Sequence, residues 1–75
     1  MARHEIDARG LLCPEPIMLM HQAVRKLAGG AELQVITTDP AALRDVPQFC
    51  RFLGHALLHV DTCGDETLFR IKVKS

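Results

Sequence analysis

The residues best suited to chemistry form a short motif, Cys13-Pro14-Glu15-Pro16, directly before an amphipathic stretch. Pro14 fits the first position of a helix, where no backbone N–H is missed, and Pro16 is tolerated in the same first turn. We therefore expect Cys13 at the N-cap, near the positive end of the helix dipole, where thiolate is favoured over thiol. Glu15 opposes this effect through its like charge. The motif predicts a reactive Cys13 with a lowered pKa.

The spacing of the three cysteines argues against two kinds of cysteine chemistry, zinc binding and dithiol exchange. No two of Cys13, Cys50 and Cys63 are separated by two residues, as in a zinc knuckle or a dithiol oxidoreductase, and Pro16 stands where a resolving cysteine would be. A lone thiol with no neighbour to reduce it can hold a sulfur atom as Cys–S–SH until an acceptor approaches. The motif therefore favours a sulfur carrier. It is also compatible with a purely structural Cys-Pro turn, because a cysteine in this position is often just a small apolar residue.

Composition excludes several classes of protein. The chain has 75 residues, 48% of them apolar and 24% charged, so we expect one globular domain over residues 1–75. Nine basic residues balance nine acidic ones, which argues against a nucleic-acid binder relying on bulk phosphate neutralisation. Apolar runs are too short to span a bilayer, and the N-terminal residues lack an apolar signal core. The odd number of cysteines also argues against a disulfide-linked secreted domain. Together these features predict a cytoplasmic protein without a membrane partner.

Apolar periodicity predicts the element order β-α-β-α-β-β. The expected strands and helices are, in chain order, 3–8, 14–28, 32–38, a second helix from Pro40 to about 53, 55–62 and 67–74. Pro47 should leave a loose first turn over 40–44 and a regular helix from about Asp45. Cys63-Gly64-Asp65 suits a hairpin connection. The fold class is α+β: a two-layer α/β sandwich with a four-stranded mixed sheet and two helices on one face.

The same periodicity predicts which side chains are buried. The stripe of the first helix comprises Ile17, Met20, Val24 and Leu27. The stripe of the second comprises Ala42, Val46, Phe49, Cys50 and Leu53. Inward strand residues are Leu33, Val35 and Thr37, then Phe69, Ile71 and Val73. In the third strand Ala56, Leu58 and Val60 alternate with His55, Leu57, His59 and Asp61. Asp39 is expected to cap the second helix, and Asp45 its regular part.

Other residues with chemical potential have plainer explanations. We expect Cys50 in the core and Cys63 exposed but idle in a turn. The four histidines show no metal-ligand spacing, so we expect no metal site. Met18 and Met20 either complete the helix stripe or offer an adaptable partner surface beside Cys13. Arg70, Lys72 and Lys74 form a basic strip on the last strand, as a solvated face or as a contact for RNA or an acidic partner.

Beyond this chemistry, the run Asp7-Ala8-Arg9-Gly10-Leu11-Leu12-Cys13-Pro14-Glu15-Pro16 resembles the signature of the TusA/SirA family of small sulfur-carrier proteins. Thr38-Asp39-Pro40, Arg44-Asp45-Val46-Pro47 and Phe49-Cys50 resemble that family's second conserved stretch, and Gly54-His55 fits many members. The resemblance covers nearly the whole chain, from about Ile6. It implies a fold like the C-terminal domain of translation initiation factor 3, in agreement with the element order above.

The resemblance implies a concrete activity. The motif cysteine of such proteins, Cys13 here, takes sulfane sulfur as a persulfide from a pyridoxal-phosphate cysteine desulfurase and passes it to a relay protein or acceptor enzyme. Destinations include tRNA thiolation, molybdenum cofactor and other sulfur metabolism. Glu15 matches the motif and is expected to help partner docking, and Arg25 matches a basic position on the first helix. The candidate partner contacts are Met18, His21 and Arg25. His21 and Gln22 replace basic residues of that helix, so the partner surface differs here.

We accordingly predict a sulfurtransferase-type carrier that works with partner enzymes and has no cofactor and no substrate pocket of its own. Direct nucleic-acid binding is not expected. Two alternatives remain open: a non-catalytic binding or regulatory module with a structural Cys-Pro turn, and a redox protein that cycles a Cys13–Cys50 disulfide.

Overall fold

Four strands and two helices form the secondary structure of the residues that the structure describes. The computed structural model describes residues 3–74 apart from the side chain of Arg3; Met1, Ala2 and Ser75 of the predicted domain lie outside the described residues. The elements are β1 (Arg3–Ala8), α1 (Glu15–Lys26), β2 (Glu32–Thr37), α2 (Ala42–Leu53), β3 (Ala56–Cys63) and β4 (Glu66–Lys72). The predicted order β-α-β-α-β-β and the α+β class are confirmed.

The four strands form one mixed sheet in the order β1-β2-β4-β3. β1 and β2 run parallel and are connected through α1, because parallel neighbours need a crossover. β4 pairs antiparallel with β2 on one side and with β3 on the other. β3 and β4 are joined through Gly64 and Asp65, as predicted, and Gly64 adopts a positive φ of 63° that suits a tight turn. The parallel pair places the ends of β1 and β2 side by side.

The core lies between the sheet and the two helices. The predicted inward residues of β2 and β4 are buried, as are Ile6 and Ala8 of β1. In α1, however, the buried residues are Pro16, Met20 and Ala23, while the predicted Ile17, Val24 and Leu27 are only partly buried. The stripe is rotated because α1 packs against α2 as well as the sheet. Small Ala23 is buried in the core, and Val24 packs against the core while remaining partly exposed.

β3 departs from the predicted alternation. It is an edge strand, and a bulge between Leu57 and His59 shifts its register against β4. Leu57 is half-buried, whereas Leu58 and Val60, predicted to share a face with Ala56, are both exposed. The alternation fails because the bulge resets which residues face the helices, and because an edge strand is only partly covered.

α2 tolerates Pro47 in its interior. Its first turn is loose, as expected: Arg44 N–H donates to Ala41 O at 3.1 Å, an i to i−3 bond, and Asp45 N–H makes the first longer bond at 2.9 Å. Helix α2 begins at Ala42, before the regular start that was expected at about Asp45. Asp45 is therefore interior to it, and the predicted capping role of Asp45 is wrong. Gly54, with a φ of 82°, ends the helix in the left-handed region.

Candidate functional site

Cys13 lies in the loop between β1 and α1. The helix begins at Glu15, so Pro14 is the N-cap and Cys13 precedes it by one residue. The Cys13–Pro14 peptide bond is cis. Pro16 occupies the second helical position and is buried, whereas Cys13 itself is exposed. The predicted N-cap position of Cys13 is therefore wrong by one residue, but its predicted accessibility at a proline-stiffened helix start agrees with the structure.

Two carboxylates that follow β2 in the chain form hydrogen bonds with Cys13: Asp39 lies before α2 and Asp45 in its first turn. The backbone N–H of Cys13 donates to Oδ2 of Asp39 at 2.7 Å, and its Sγ donates to Oδ2 of Asp45 at 3.0 Å. Nearby, Gly10 N–H donates to Oγ1 of Thr38 at 2.9 Å and joins the same two loops. Each loop follows one of two adjacent parallel strands, and the carboxyl ends of such strands form a common site.

These contacts reverse the predicted ionisation of Cys13. The pKa of the thiol is raised, first by its hydrogen bond to Asp45, then by desolvation and by the negative charges of Asp45 and Asp39; Arg44 acts in the opposite direction. The same bond lowers the pKa of Asp45, which Arg44 Nε also contacts at 3.4 Å. The lowered thiol pKa expected from the helix dipole is therefore wrong, because a carboxylate in direct contact outweighs a dipole one residue away.

An open groove begins beside Cys13 and runs between α1 and α2. It has a volume of about 850 Å³, and its walls include Ile17 and His21 from α1 and Phe49 and Phe52 from α2. The rings of His21 and Phe49 meet edge to face with centroids 4.8 Å apart. Phe52 is 90% exposed, an unusual solvent contact for so large an apolar ring. The groove is open to solvent, so the expectation that the protein has no substrate pocket of its own stays a prediction.

The predicted partner residues are exposed along α1. Met18, His21 and Arg25 follow each other at intervals of three and four residues, so they share one side of the helix, and Glu15 is exposed in its first turn. Met20 is fully buried, which removes it from the predicted partner-facing surface. The structure thus separates the two methionines: Met20 packs in the core and Met18 meets solvent.

Of the remaining cysteines, Cys50 lies in the core as predicted, and Cys63 is exposed as predicted but belongs to β3 rather than to a turn. Cys50 is 2% exposed in the core, and burial raises its pKa to about 11. Cys63 is exposed at the end of β3, and all three cysteines are free thiols. A buried Cys50 offers no ready partner to an exposed Cys13, so this arrangement counts against the redox alternative. Within residues 3–74, no group of His, Cys, Asp or Glu side chains is arranged to hold a metal ion.

The three residues of the predicted basic strip differ in their exposure to solvent. Lys72 and Lys74 are exposed, but Arg70 is half-buried, and its Nε has no hydrogen-bond partner among the described residues. Neither helix of the described part of the chain is long and apolar enough to cross a bilayer.

The sequence patterns point to Cys13 but not to its neighbours in the fold. They predict Asp39 and Asp45 as helix caps and give no sign that Phe52 is exposed. One signal pointed to the two carboxylates: both follow the strand predicted after the first helix, and a β-α-β unit places that strand parallel to the first. Parallel pairing of these two strands, which the structure shows, is what brings the two carboxylates near Cys13.

The fold and the site define a class of small protein. It is a two-layer α+β domain with an exposed cysteine at the proline-bearing start of its first helix. The chain belongs to the TusA family: the family model described as "Sulfurtransferase TusA" matches residues 4–75. It is similar to the "Sulfur carrier protein TusA" of Pseudomonas putida, with 51% identity over 93% of this chain and 88% of the relative. The protein of that name from Pseudomonas syringae pv. syringae is 51% identical over 95% of this chain and 84% of the relative. Family and relatives together support a sulfur-carrier role.

Proposed function

We propose that this protein carries sulfane sulfur as a persulfide on Cys13. It accepts the sulfur from a cysteine desulfurase and relays it to a downstream sulfur-relay protein or acceptor enzyme. The observation that carries the proposal is the exposed, free Cys13 of the Cys-Pro-Glu-Pro motif at an open groove, in a chain of the TusA family. Cys13 is the catalytic residue, and Pro14 and Pro16 position it.

The transfer needs no external oxidant or reductant. Cys13 Sγ attacks the outer sulfur of the donor persulfide; the new bond joins the two sulfurs, and the donor S–S bond breaks with its electron pair on the donor cysteine. The Cys13 proton ends on that departing sulfur, so the donor is a thiol again and the carrier is Cys13–S–SH. In the second transfer an acceptor thiol attacks the outer sulfur, and Cys13 returns as a thiol.

The partner surface adjoins Cys13. Exposed Met18, His21 and Arg25 on α1 offer one flank, and the groove wall at Phe52 offers the other. A donor or acceptor loop must bring its cysteine to Sγ, and an open groove admits such a loop more readily than a closed cavity. Glu15 and Arg25 supply opposite charges at the two ends of α1, which favours one docking direction.

The destination of the sulfur lies within the classes that the family resemblance implies: tRNA thiolation, molybdenum cofactor or other sulfur metabolism. On the partner-facing helix of this chain, His21 and Gln22 stand where the family resemblance expects basic residues. We therefore assign no single one of these destinations and propose a thiol-bearing protein as the acceptor. A cytoplasmic location stays a prediction from the composition.

The test is mass spectrometry of the protein after incubation with a cysteine desulfurase and L-cysteine. We expect a gain of about 32 Da per sulfur on Cys13, removed by a thiol reductant. The gain should persist in Cys50→Ser and Cys63→Ser and be absent from Cys13→Ser. A native protein that gains no mass, or a gain that survives Cys13→Ser, would contradict the proposal.

One observation favours the second candidate, a binding or regulatory module with a structural Cys-Pro turn. The hydrogen bond to Asp45 raises the pKa of Cys13 and so disfavours the thiolate form in the isolated protein. The same desulfurase experiment separates the two candidate functions, because a binding or regulatory module would gain no sulfur mass after incubation with the desulfurase and L-cysteine.

A further inference from the structure

The thiol of Cys13 has one specific partner. Its Sγ lies 3.0 Å from Oδ2 of Asp45. An ionised carboxylate only accepts hydrogen bonds, so the shared proton must come from the thiol. The Asp45 side chain is 16% exposed and its other oxygen, Oδ1, lies 3.4 Å from Arg44 Nε, so the carboxylate is held from two sides. The contact is therefore an S–H···O hydrogen bond to a fixed acceptor.

This bond is not required to keep the Cys13 loop in place. The backbone of Cys13 is already anchored by its N–H bond to Asp39 at 2.7 Å. Pro14 and Pro16 stiffen the chain that follows. The contact with Asp45 acts on the sulfur alone, so its effect falls on the protonation and direction of that sulfur.

From this geometry we propose that Asp45 is the positioning residue for sulfur transfer: its carboxylate holds the proton of the Cys13 thiol and keeps the unloaded sulfur uncharged in the free carrier. The inference rests on the proposed function and deepens it. An exposed thiolate is the form that reacts with oxidants and stray electrophiles, so a carrier without a resolving cysteine benefits from remaining a thiol between transfers.

The surrounding charges act in the same direction on balance. Asp39 and Asp45 both disfavour a thiolate at Cys13, and Arg44 partly offsets them. From α1, the nearest acidic group along the chain is Glu15, and the groove walls contribute His21 and Arg51. Asp45 is the one among these whose side chain bonds the sulfur directly.

The bond also distinguishes the empty carrier from the loaded one. In Cys13–S–SH the Sγ atom carries no proton and cannot donate to Asp45. When an acceptor thiol takes the outer sulfur, the S–S bond breaks with its electron pair on Sγ, and the proton of the acceptor thiol restores Cys13–SH. The Asp45 bond can then form again, so each delivery returns the site to its resting state.

The test is the pH profile of Cys13 alkylation by iodoacetamide. It uses the full chain with Cys63→Ser, so that Cys13 is the one exposed thiol, and the label is located by peptide mass spectrometry. Asp45→Asn keeps the size and an acceptor oxygen but removes the charge, so the profile should move to lower pH. One pH unit corresponds to about a tenfold gain in thiolate at neutral pH. Arg44→Gln should move the profile to higher pH. Asp61→Asn, an exposed carboxylate on β3, is the matched control and should not move it.

A folded Asp45→Asn protein with the native pH profile would overturn the inference, as would an equal shift in Asp61→Asn. Circular dichroism and the urea midpoint report whether Asp45→Asn folds; if it does not, Asp45→Ser, a smaller uncharged replacement, takes its place, and a native pH profile in the folded Asp45→Ser protein refutes the inference. Persulfide loading is measured separately on the native protein. Failure to load refutes the proposed function, while the alkylation profile still shows whether Asp45 holds the thiol proton.

Discussion

The carboxylate of Asp39 joins the turn before α2 to the backbone of Cys13, 26 residues earlier in the chain, through a 2.7 Å hydrogen bond. Asp39 is itself buried. Its Oδ1 accepts a bond from Ala41 N–H at 3.0 Å, and its own N–H donates to Oγ1 of Thr37 at 3.1 Å. One side chain therefore holds the Cys13 loop and shapes the start of α2 together.

Replacing Asp39 should cost both stability and order at Cys13. Asp39→Ala leaves the Cys13 and Ala41 N–H groups without their acceptor, so the free energy of unfolding should fall by about 2 kcal/mol. Asp39→Asn keeps one acceptor oxygen and should lose less. Urea unfolding measures both, with Asp61→Ala as the exposed control. An Asp39→Ala protein as stable as that control would show that the two bonds contribute nothing.

The fold was predictable from sequence because its signals are local. Alternating Leu33, Val35 and Thr37 fix the inward face of β2, and the same period marks β4. The prediction failed at β3, where a bulge changes the register, and at α1, where the neighbouring helix rotates the buried stripe toward Ala23. Both failures come from tertiary contacts that no single segment encodes.

The site was predictable only in part. The motif predicts a reactive thiol at Cys13, because two prolines in one first turn are an unusual helix start, and the structure places that thiol in solvent at this helix start. The predicted direction of its pKa shift is wrong, since the helix dipole and Glu15 are local to the motif, whereas Asp45 is 32 residues away in the chain and meets the sulfur only in the fold. A pKa depends on charges within a few ångströms, and these are set by the packing of the loops.

The two methionines of α1 should behave in opposite ways. Met20 is fully buried among core residues, so Met20→Ala should lower the free energy of unfolding by about 3 kcal/mol, through lost apolar burial and the cavity left behind. Met18 is exposed, and Met18→Ala should change stability by less than about 0.5 kcal/mol. Urea unfolding of the two variants provides the comparison, since each is the matched control for the other. Equal losses of stability would contradict the assignment of Met20 alone to the core.

His55 should make stability depend on pH in mildly acidic solution. Its Nδ1 accepts a hydrogen bond from Lys74 N–H at 2.9 Å, and its ring stacks on Phe49 with centroids 5.8 Å apart. Only a neutral imidazole can accept that bond. Burial first, and then the charge of Lys74, lower the pKa of His55 below its ordinary value of 6.5.

The sign of the effect follows from this lowered pKa. The unfolded chain binds a proton at His55 more readily than the folded protein does, so acid favours unfolding. The stabilising contribution of neutral His55 is complete above pH 6.5 and is lost as the pH falls through the folded-state pKa. Carboxylates titrate at lower pH, so the interval from about pH 7 to pH 5 separates the histidines from the carboxylates, and the two variants below distinguish His55 from another histidine. His55→Gln keeps an acceptor that does not titrate, and its urea midpoint should fall less than the native midpoint across that interval. His59→Gln, at an exposed position on β3, should follow the native protein; a His55→Gln midpoint that falls as steeply as both would show that His55 does not set this dependence.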